Sequence, residues 1–415
     1  METKDLWAKP ADCCGCGACA ALCPRGSISM EESPEGFVYP RIDTGLCVDC
    51  GLCRRACGLQ NLYARETSGP WYAACYRGDS SLSASAGAFY GLARSVVDGG
   101  GAVFGAAYAR DDDGLHVRHV MSEEPEGLFA LQGSKYVQSD AGRCFPEVRR
   151  QLESGREVLF SGTPCQVAGL RGYLGREWPN LVTVDLVCHG VPSEAMFRSL
   201  VASIERERGM RVADFRFRCK RSGWGHSLLL LLLLRPFDAE DSAQDEEVLI
   251  PAHDSAYYAL FLGLKTLRGS CYSCPFAGPR RPSDITVGDF WGVERNRPDV
   301  LEDGRFNTER GVSCLLVNTD QGKRALKRHG SGLDLFHVSF DDIAEGNDQL
   351  RHPSELPEDR GFYLDAYREG GWDEVEALWR RRERGAKYRA KRAIKAIVPK
   401  WLIDIAKCIV GRHQG

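Results

Sequence analysis

Cys13-Cys-Gly-Cys16-Gly-Ala-Cys19-Ala-Ala-Leu-Cys23-Pro24 and Cys47-Val-Asp-Cys50-Gly-Leu-Cys53-Arg-Arg-Ala-Cys57 decide how the chain is read. Both runs follow C-x2-C-x2-C-x3-C, the spacing that holds two [4Fe–4S] clusters. Three closely spaced thiolates wrap one cubane, and the fourth ligates the other. The pattern groups Cys13, Cys16 and Cys19 with Cys57, and Cys47, Cys50 and Cys53 with Cys23. Gly15, Gly17 and Gly51 suit a backbone wound tightly round a cluster, because glycine accepts positive φ. Zinc ribbons use two C-x2-C pairs, not two runs of four. Disulfides need an oxidising compartment. Cys14 reads as an extra thiol beside a ligand, not as a ligand.

Working outward, the chain has 415 residues, room for two or three domains. Its net charge of −3 gives no overall field that would select nucleic acid. Eighteen cysteines would mean a disulfide scaffold in a short secreted chain. In a long chain whose first ten residues lack an apolar leader core, they point to a reducing, cytoplasmic setting. The longest aliphatic run, Leu228–Leu234, is seven residues. A membrane span needs roughly 20, so the run reads as a buried strand.

Gly36–Ile42 alternates as a hairpin strand and links the halves of a small ferredoxin-like module ending near Leu59. Polar Tyr63–Pro70 reads as a linker. Ser85–Asp98 has helical periodicity, with Ser83 or Ser85 as its cap. Ala102–Ala109 and Leu115–Met121 are strands about an Asp-Gly turn. Arg143–Glu153 reads as a helix. Glu157–Ser161 and Leu181–Val187 are strands, each followed by a cysteine-bearing turn and then a helix, expected to start at Gln166 and Pro192. That is the α/β arrangement in which sites form at strand carboxyl ends. Residues 214–250 turn to β, Ala256–Leu267 reads as helix, and Asp284–Phe290 and Ser313–Asn318 are late strands. The tail is basic: Arg380–Lys400 carries six Arg and four Lys against one acid. Ile394, Ile397, Trp401, Leu402, Ile405 and Ile409 follow at helical spacing. This reads as a basic amphipathic helix, either at a membrane surface or packed on the body or a partner subunit.

A second group of cysteines stands outside the first module. Cys165 follows Gly162-Thr163-Pro164 at one strand end, Cys188 precedes His189-Gly190 at the next, and Cys271 and Cys274 form a C-x2-C before Pro275. Four thiolates converging there can hold a third cubane or a zinc ion; scattered buried thiols are the third reading. Gly133-Ser134-Lys135 offers free amides, a hydroxyl and a cation, a combination suited to a pyrophosphate. Thr163 lies two residues before Cys165 and can reach a cofactor or substrate. His189 can carry a proton or simply brace the turn. Asp289, Phe290 and Trp291 end a strand and wall a pocket or join the core. No G-x-G-x-x-G follows an expected strand, so direct nicotinamide binding is not expected.

From Gly87 to Asn318 the chain resembles the coenzyme F-420 hydrogenase/dehydrogenase beta-subunit family. The matching stretches are Gly101-Ala-Val-Phe-Gly105, Gly133-Ser-Lys-Tyr-Val-Gln-Ser139, Phe160-Ser-Gly-Thr-Pro-Cys-Gln-Val-Ala-Gly169, Val184-Asp-Leu-Val-Cys-His-Gly-Val-Pro192, Ser270-Cys-Tyr-Ser-Cys-Pro-Phe276 and Asp284-Ile-Thr-Val-Gly-Asp-Phe-Trp-Gly292. The resemblance implies an iron–sulfur flavoprotein that binds FAD beside a [4Fe–4S] cluster. It carries the third-cluster ligands onto Cys165, Cys188, Cys271 and Cys274. The family's Ser-Gly-Gly before its first helix stands here as Ser85-Ala86-Gly87. Flavin contacts are then expected at Gly87, Gly133, Ser134, Lys135, Tyr136, Gly162 and Thr163, with Lys135, Thr163 and His189 as catalytic candidates.

These readings together describe an α/β (α+β) chain in four parts. Residues 1–66 form a 2[4Fe–4S] ferredoxin module. Residues 67–155 form a flavin-binding part, 156–340 a third-cluster and catalytic part, and 341–415 a basic helical tail. The expected function is an iron–sulfur flavoprotein oxidoreductase, cytoplasmic and peripheral to a membrane if its tail binds one. It would pass electrons between two N-terminal clusters, a third cluster, FAD and a small-molecule hydride donor or acceptor. A ferredoxin, hydrogenase or dehydrogenase subunit would be its redox partner. The alternatives are a non-catalytic electron-transfer adaptor in a larger redox complex and a zinc-stabilised binding module.

Overall fold

The computed structural model describes residues 3–67, 69–226, 228–239 and 244–384. The apolar stripe from Ile394 to Ile409, and with it the membrane or partner reading of the tail, lies outside the described residues. No described helix is long and apolar enough to cross a membrane.

The first module is a three-stranded antiparallel sheet of β1 (Thr3–Asp5), β2 (Ile28–Glu32) and β3 (Val38–Asp43), in the order β1-β3-β2. Two one-turn helices, Ala18–Leu22 and Leu52–Arg55, carry the cysteine runs. Each is entered through a glycine at positive φ, Gly17 at 78° and Gly51 at 72°. The linker is not loose: β4 (Arg65–Glu66) pairs with β13 (Arg280–Arg281) and ties the module to the body.

An eight-stranded mixed sheet forms the body. Its strands are β5 (Trp71–Tyr76), β6 (Ala102–Asp111), β7 (Gly114–Ser122), β8 (Val158–Gly162), β9 (Leu181–Leu186), β14 (Ile285–Asp289), β15 (Ser313–Val317) and β16 (Leu333–Val338), ordered β16-β5-β15-β14-β9-β8-β6-β7. The segments 67–155 and 156–340 share this sheet, since β6 pairs in parallel with β8. Strands β8, β9 and β14 are mutually parallel. Their carboxyl ends therefore open on one edge, where Cys165, Cys188 and Asp289 follow. Alternate residues supply the two faces. Val103, Leu159 and Val182 pack with helix Ala88–Asp98, while Phe104, Phe160 and Leu181 pack with helices Phe145–Glu153 and Pro164–Leu174.

The leucine run becomes β11 (Leu229–Pro236), the middle strand between β10 (Met210–Arg216) and β12 (Glu246–Pro251). This sheet shares a core with helices Glu194–Arg208 and Ala256–Leu262 and with Arg360–Glu383. The last is broken by non-helical backbone at Gly370 and Gly371.

Several boundaries differ from expectation for local reasons. Helix Ala88–Asp98 is capped by Gly87 at φ 82°, not by Ser83 or Ser85. The helix after β8 starts at Pro164, because Thr163 and Gln166 form a capping box there. The next starts at Glu194, with Ser193 accepting the Met196 amide, so Pro192 precedes the cap. Helix Ala256–Leu262 stops five residues early, where Leu264 takes positive φ.

Candidate functional site

The cysteines of the first module gather in two sets. Cys23, Cys47, Cys50 and Cys53 line one cavity of about 270 Å³, together with Gly51, Arg25 and Arg54. Cys50 is exposed at its mouth. Cys13, Cys19 and Cys57 face one another from the other side. Burial pushes the Cys19 thiol up to about 12, and the charges of Cys13 and Cys57 push the same way. The Gly15 amide donates to the Cys13 Sγ at 3.3 Å, the kind of N–H contact that a sulfur ligand accepts.

Cys165, Cys188, Cys271 and Cys274 converge from three chain segments. Cys165 lies in the first turn of helix Pro164–Leu174, Cys188 follows β9, and the C-x2-C brackets a 3-10 turn at Gly269–Ser273. Burial, then the charges of Cys271, Cys165 and Cys274, hold the Cys188 thiol well above its ordinary range. Burial and then Cys165 raise Cys271 to about 12 and Cys274 to about 11. A Cβ on Gly190 would stand 2.9 Å from the Cys271 Cβ, so only glycine lets these segments close. Four buried thiols that oppose one another's ionisation suit a strongly positive inorganic core, which deprotonates coordinating thiols outright. Among the described residues, no three His, Cys, Asp or Glu side chains are drawn tightly enough together to hold a single metal ion.

Cys14 joins the two neighbourhoods. It is buried, and its thiol hydrogen-bonds with both Cys16 and Cys165. The module sits this close because helix Pro164–Leu174 presents glycines to it. A Cβ on Gly169 would meet the Cys16 Sγ at 2.6 Å, and one on Gly172 the Ala56 carbonyl oxygen at 2.1 Å.

Sequence reasoning missed a polar network beneath Cys165. His119 is buried and stacks on Phe160 at 5.1 Å. Its Nε2–H donates to the Ser161 carbonyl at 2.8 Å, so its Nδ1 accepts from the Ser139 hydroxyl at 3.2 Å. Gln166 Nε2 donates to Ser139, and its Oε1 accepts from the Thr163 amide at 2.9 Å. The Thr163 hydroxyl stands 3.2 Å from the Cys165 Sγ. Arg268, also missed, is fully buried at the seam between module and body. An arginine three residues ahead of a C-x2-C is the only trace of it in the sequence.

The expected flavin segments are brought side by side. The Ser83 hydroxyl donates to Gln132 Oε1 at 2.5 Å, and a Cβ on Gly133 would touch the Leu82 carbonyl oxygen at 3.4 Å. The loop before Gly87 thus meets the Gly133 turn. Ser85 is 8% exposed, and its hydroxyl has no hydrogen-bond partner among the described residues. It stands two residues before Gly87, at the N-terminus of an eleven-residue helix, where free amides favour an anion. Lys220 reaches the Ser80 and Ser85 carbonyls at 2.8 and 2.7 Å, and Arg310 reaches those of Tyr76 and Gly78. This corner fits a phosphate group of a dinucleotide cofactor.

Lys135 sits differently from expectation. Its ammonium donates to the carbonyls of Ala130, Gln132 and Gly133, which engages all three protons at the turn. Desolvation holds it down at about 7. Tyr136 stacks on Phe261 at 4.3 Å. Past β14, Asp289 accepts from Trp224 Nε1 at 2.6 Å and Arg218 Nη1 at 3.1 Å, and Trp224 stacks on Trp291 at 4.5 Å. Phe290 is core. The His189 backbone carbonyl accepts from Ser354, and the residue is exposed at the rim of the cleft. Desolvation by the surrounding walls lowers its pKa, against the charges of Asp289 and Asp348.

Residues 12–60 match the 4Fe-4S dicluster domain. Residues 155–333 match the family described as the C terminus of the coenzyme F420 hydrogenase/dehydrogenase beta subunit. The coenzyme F420-dependent sulfite reductase of Methanocaldococcus jannaschii is 27% identical over 162 residues, 38% of this chain and 24% of that protein. The A-type iron-sulfur subunit of CoB–CoM heterodisulfide reductase from the same organism is 34% identical over 71 residues, 14% of this chain and 11% of that one. This chain therefore spans at most about a quarter of these relatives. A chain of the F420-reducing [NiFe] hydrogenase complex from Methanosarcina barkeri superposes over 77% of this chain and 94% of its own, with TM-score 0.45 and 16% identity.

Proposed function

We propose that this chain, which joins a 4Fe-4S dicluster domain to the C-terminal domain of the coenzyme F420 hydrogenase/dehydrogenase beta-subunit family, is an iron–sulfur flavoprotein oxidoreductase. The observation that carries this reading is the meeting of Cys165, Cys188, Cys271 and Cys274 at the strand ends, one thiol (Cys14) away from Cys16. Cys47, Cys50, Cys53 and Cys23 would hold the outer cluster, next to solvent and to a redox partner protein. Cys13, Cys16, Cys19 and Cys57 would hold the inner one, and the four strand-end cysteines a third. Ser85, the amides after Gly87, and Lys220 and Arg310 would bind the pyrophosphate of FAD, with the Gly133 turn beside them. Clusters move single electrons and flavin exchanges them for a hydride, so the pair couples the two kinds of carrier.

The protein's own groups do the rest. Arg218 and Asp289, fixed by Trp224 and Trp291, would orient the ring system and exclude water. His189, neutral at pH 7, would accept a proton at a ring nitrogen. Thr163 would hydrogen-bond the Cys165 sulfur and tune it. The substrate is a small hydride donor or acceptor, and the coenzyme F420-dependent relative makes a deazaflavin the first to test.

Anaerobic purification tests the reading. About twelve iron per chain, three cubanes' worth, with bound FAD and deazaflavin-dependent bleaching of the flavin band is the expected result. About eight iron without flavin refutes it and leaves an electron-transfer adaptor; zinc in place of the third paramagnet leaves a zinc-stabilised module.

A further inference from the structure

Arg268 is 0% exposed. Its Nε donates to Gln138 Oε1 at 2.9 Å, its Nη1 to the Cys13 carbonyl at 3.0 Å and its Nη2 to the Val38 carbonyl at 2.9 Å. The plane lies over the rings of Tyr39 and Phe37, at 4.6 and 5.1 Å. Gln138 turns its amide nitrogen to the Cys14 and Gly15 carbonyls, at 3.0 and 3.1 Å. A Cβ on Gly15 would lie 2.7 Å from both Arg268 and Gln138. The guanidinium thus reaches from the body into the loop that carries the first cysteine run, and grips it by backbone oxygens alone.

Every acceptor here is neutral. Among the described residues no carboxylate pairs with Arg268, although the other fully buried arginine, Arg281, has Asp185 at 2.9 Å. A buried cation without a counter-charge is costly. The anionic groups that its field reaches are thiols: it opposes the upward push of burial on Cys13 and Cys271, and of the Cys14 hydrogen bond and burial on Cys165. Two of these belong to the strand-end set and one to the inner set of the module.

We propose that Arg268 is the fixed counter-charge shared by the inner module cluster and the strand-end cluster, raising the reduction potential of both above that of the outer cluster. The proposal rests on the three-cluster reading given above. A cubane held by four thiolates is a net anion, and each electron it gains adds one negative charge. Net charge and hydrogen bonding set cluster potentials. A guanidinium stays protonated at any working pH, so the electron arrives with no proton and the potential is flat with pH. Electrons entering at exposed Cys50 then run downhill towards the strand ends.

The test is an EPR-monitored redox titration of the full, anaerobically reconstituted chain, with Arg268→Gln and Arg268→Lys beside the wild type. In Arg268→Gln, the inner and strand-end signals should become at least tenfold harder to reduce, about 59 mV for one electron, while the outer signal moves less than twofold. Arg268→Lys keeps the charge and should hold all three within about threefold of wild type. Unmoved potentials in a fully loaded Arg268→Gln protein, or equal shifts in all three clusters, overturn the proposal. If Arg268→Gln loses iron, Arg268→Lys decides: loaded with near-native potentials it supports the counter-charge, and iron-depleted it leaves Arg268 a structural clamp only. A wild type with two paramagnets would sink the three-cluster reading separately, and the inner signal alone would then test Arg268.

Discussion

Gly172→Ala is the sharpest probe of how the module meets the body. A Cβ there would stand 2.1 Å from the Ala56 oxygen, 2.8 Å from its carbonyl carbon and 3.2 Å from its Cα. All three are backbone atoms of a fully buried residue, so no rotamer change relieves the overlap. The surfaces must part by roughly 1 Å to restore ordinary contact. Overpacking of this kind costs about 1–3 kcal/mol, and more where only backbone can yield. Against it, alanine in mid-helix gains about 0.5–1 kcal/mol over glycine. The expected net is about 1–2 kcal/mol of weakened docking, a factor of about 5–30 in local opening. Amide hydrogen exchange in segments 52–57 and 164–174 should quicken by that factor, and iron should leave the inner cysteine set faster under chelator. Gly361→Ala, whose Cβ would meet nothing within 4 Å, is the control and should change neither. Native exchange rates in Gly172→Ala would refute the claim that glycine packing sets the spacing of the two parts.

The buried His119 makes the fold acid-sensitive. Desolvation, with the Lys135 charge adding to it, lowers His119 to about 4 against the Ser161 hydrogen bond. Its contribution is therefore complete above its unfolded value near 6.5 and is lost as pH falls towards 4, at about 1.4 kcal/mol per pH unit. Unfolding at stepped pH should show this slope in wild type and a flatter one in His119→Gln; parallel profiles would exclude the histidine as the cause. Arg281→Met strands Asp185, which is 0% exposed, and should cost about 3–5 kcal/mol in denaturant titrations, whereas Arg281→Met with Asp185→Leu recovers most of it. A double variant no better than the single would contradict that pairing. Cys274→Ser should remove one paramagnet and about four iron while leaving the module signals in place; loss of all three signals would mean a common scaffold instead of separate sites. Ser85→Ala should weaken FAD retention on a desalting column without changing iron content, and full retention would move the pyrophosphate elsewhere.

How much of this was legible in the sequence follows the range of the forces involved. The two cysteine runs could be read directly, because ligands two residues apart must meet within one turn of chain whatever surrounds them. The strand, cysteine turn and helix units could be read too, since hydrophobic period and breaker residues act over a few positions. Local competition moved the boundaries. Gly87 displaced Ser85 as a cap because it alone accepts φ 82°, and Thr163 with Gln166 pulled a helix start forward by two residues.

The sequence by itself determined the ferredoxin-like module, the α/β character of the body and which cysteines were candidates. Only the tertiary structure decided that Cys165, Cys188, Cys271 and Cys274 share one place, that Cys14 links it to Cys16, and that Lys135 turns its ammonium to backbone carbonyls. It alone placed Arg268, 255 positions from Cys13, with its Nη1 on that residue's carbonyl. Short-range geometry is written in spacing. The position of a buried charge depends on which distant segments pack round it, and no local pattern records that.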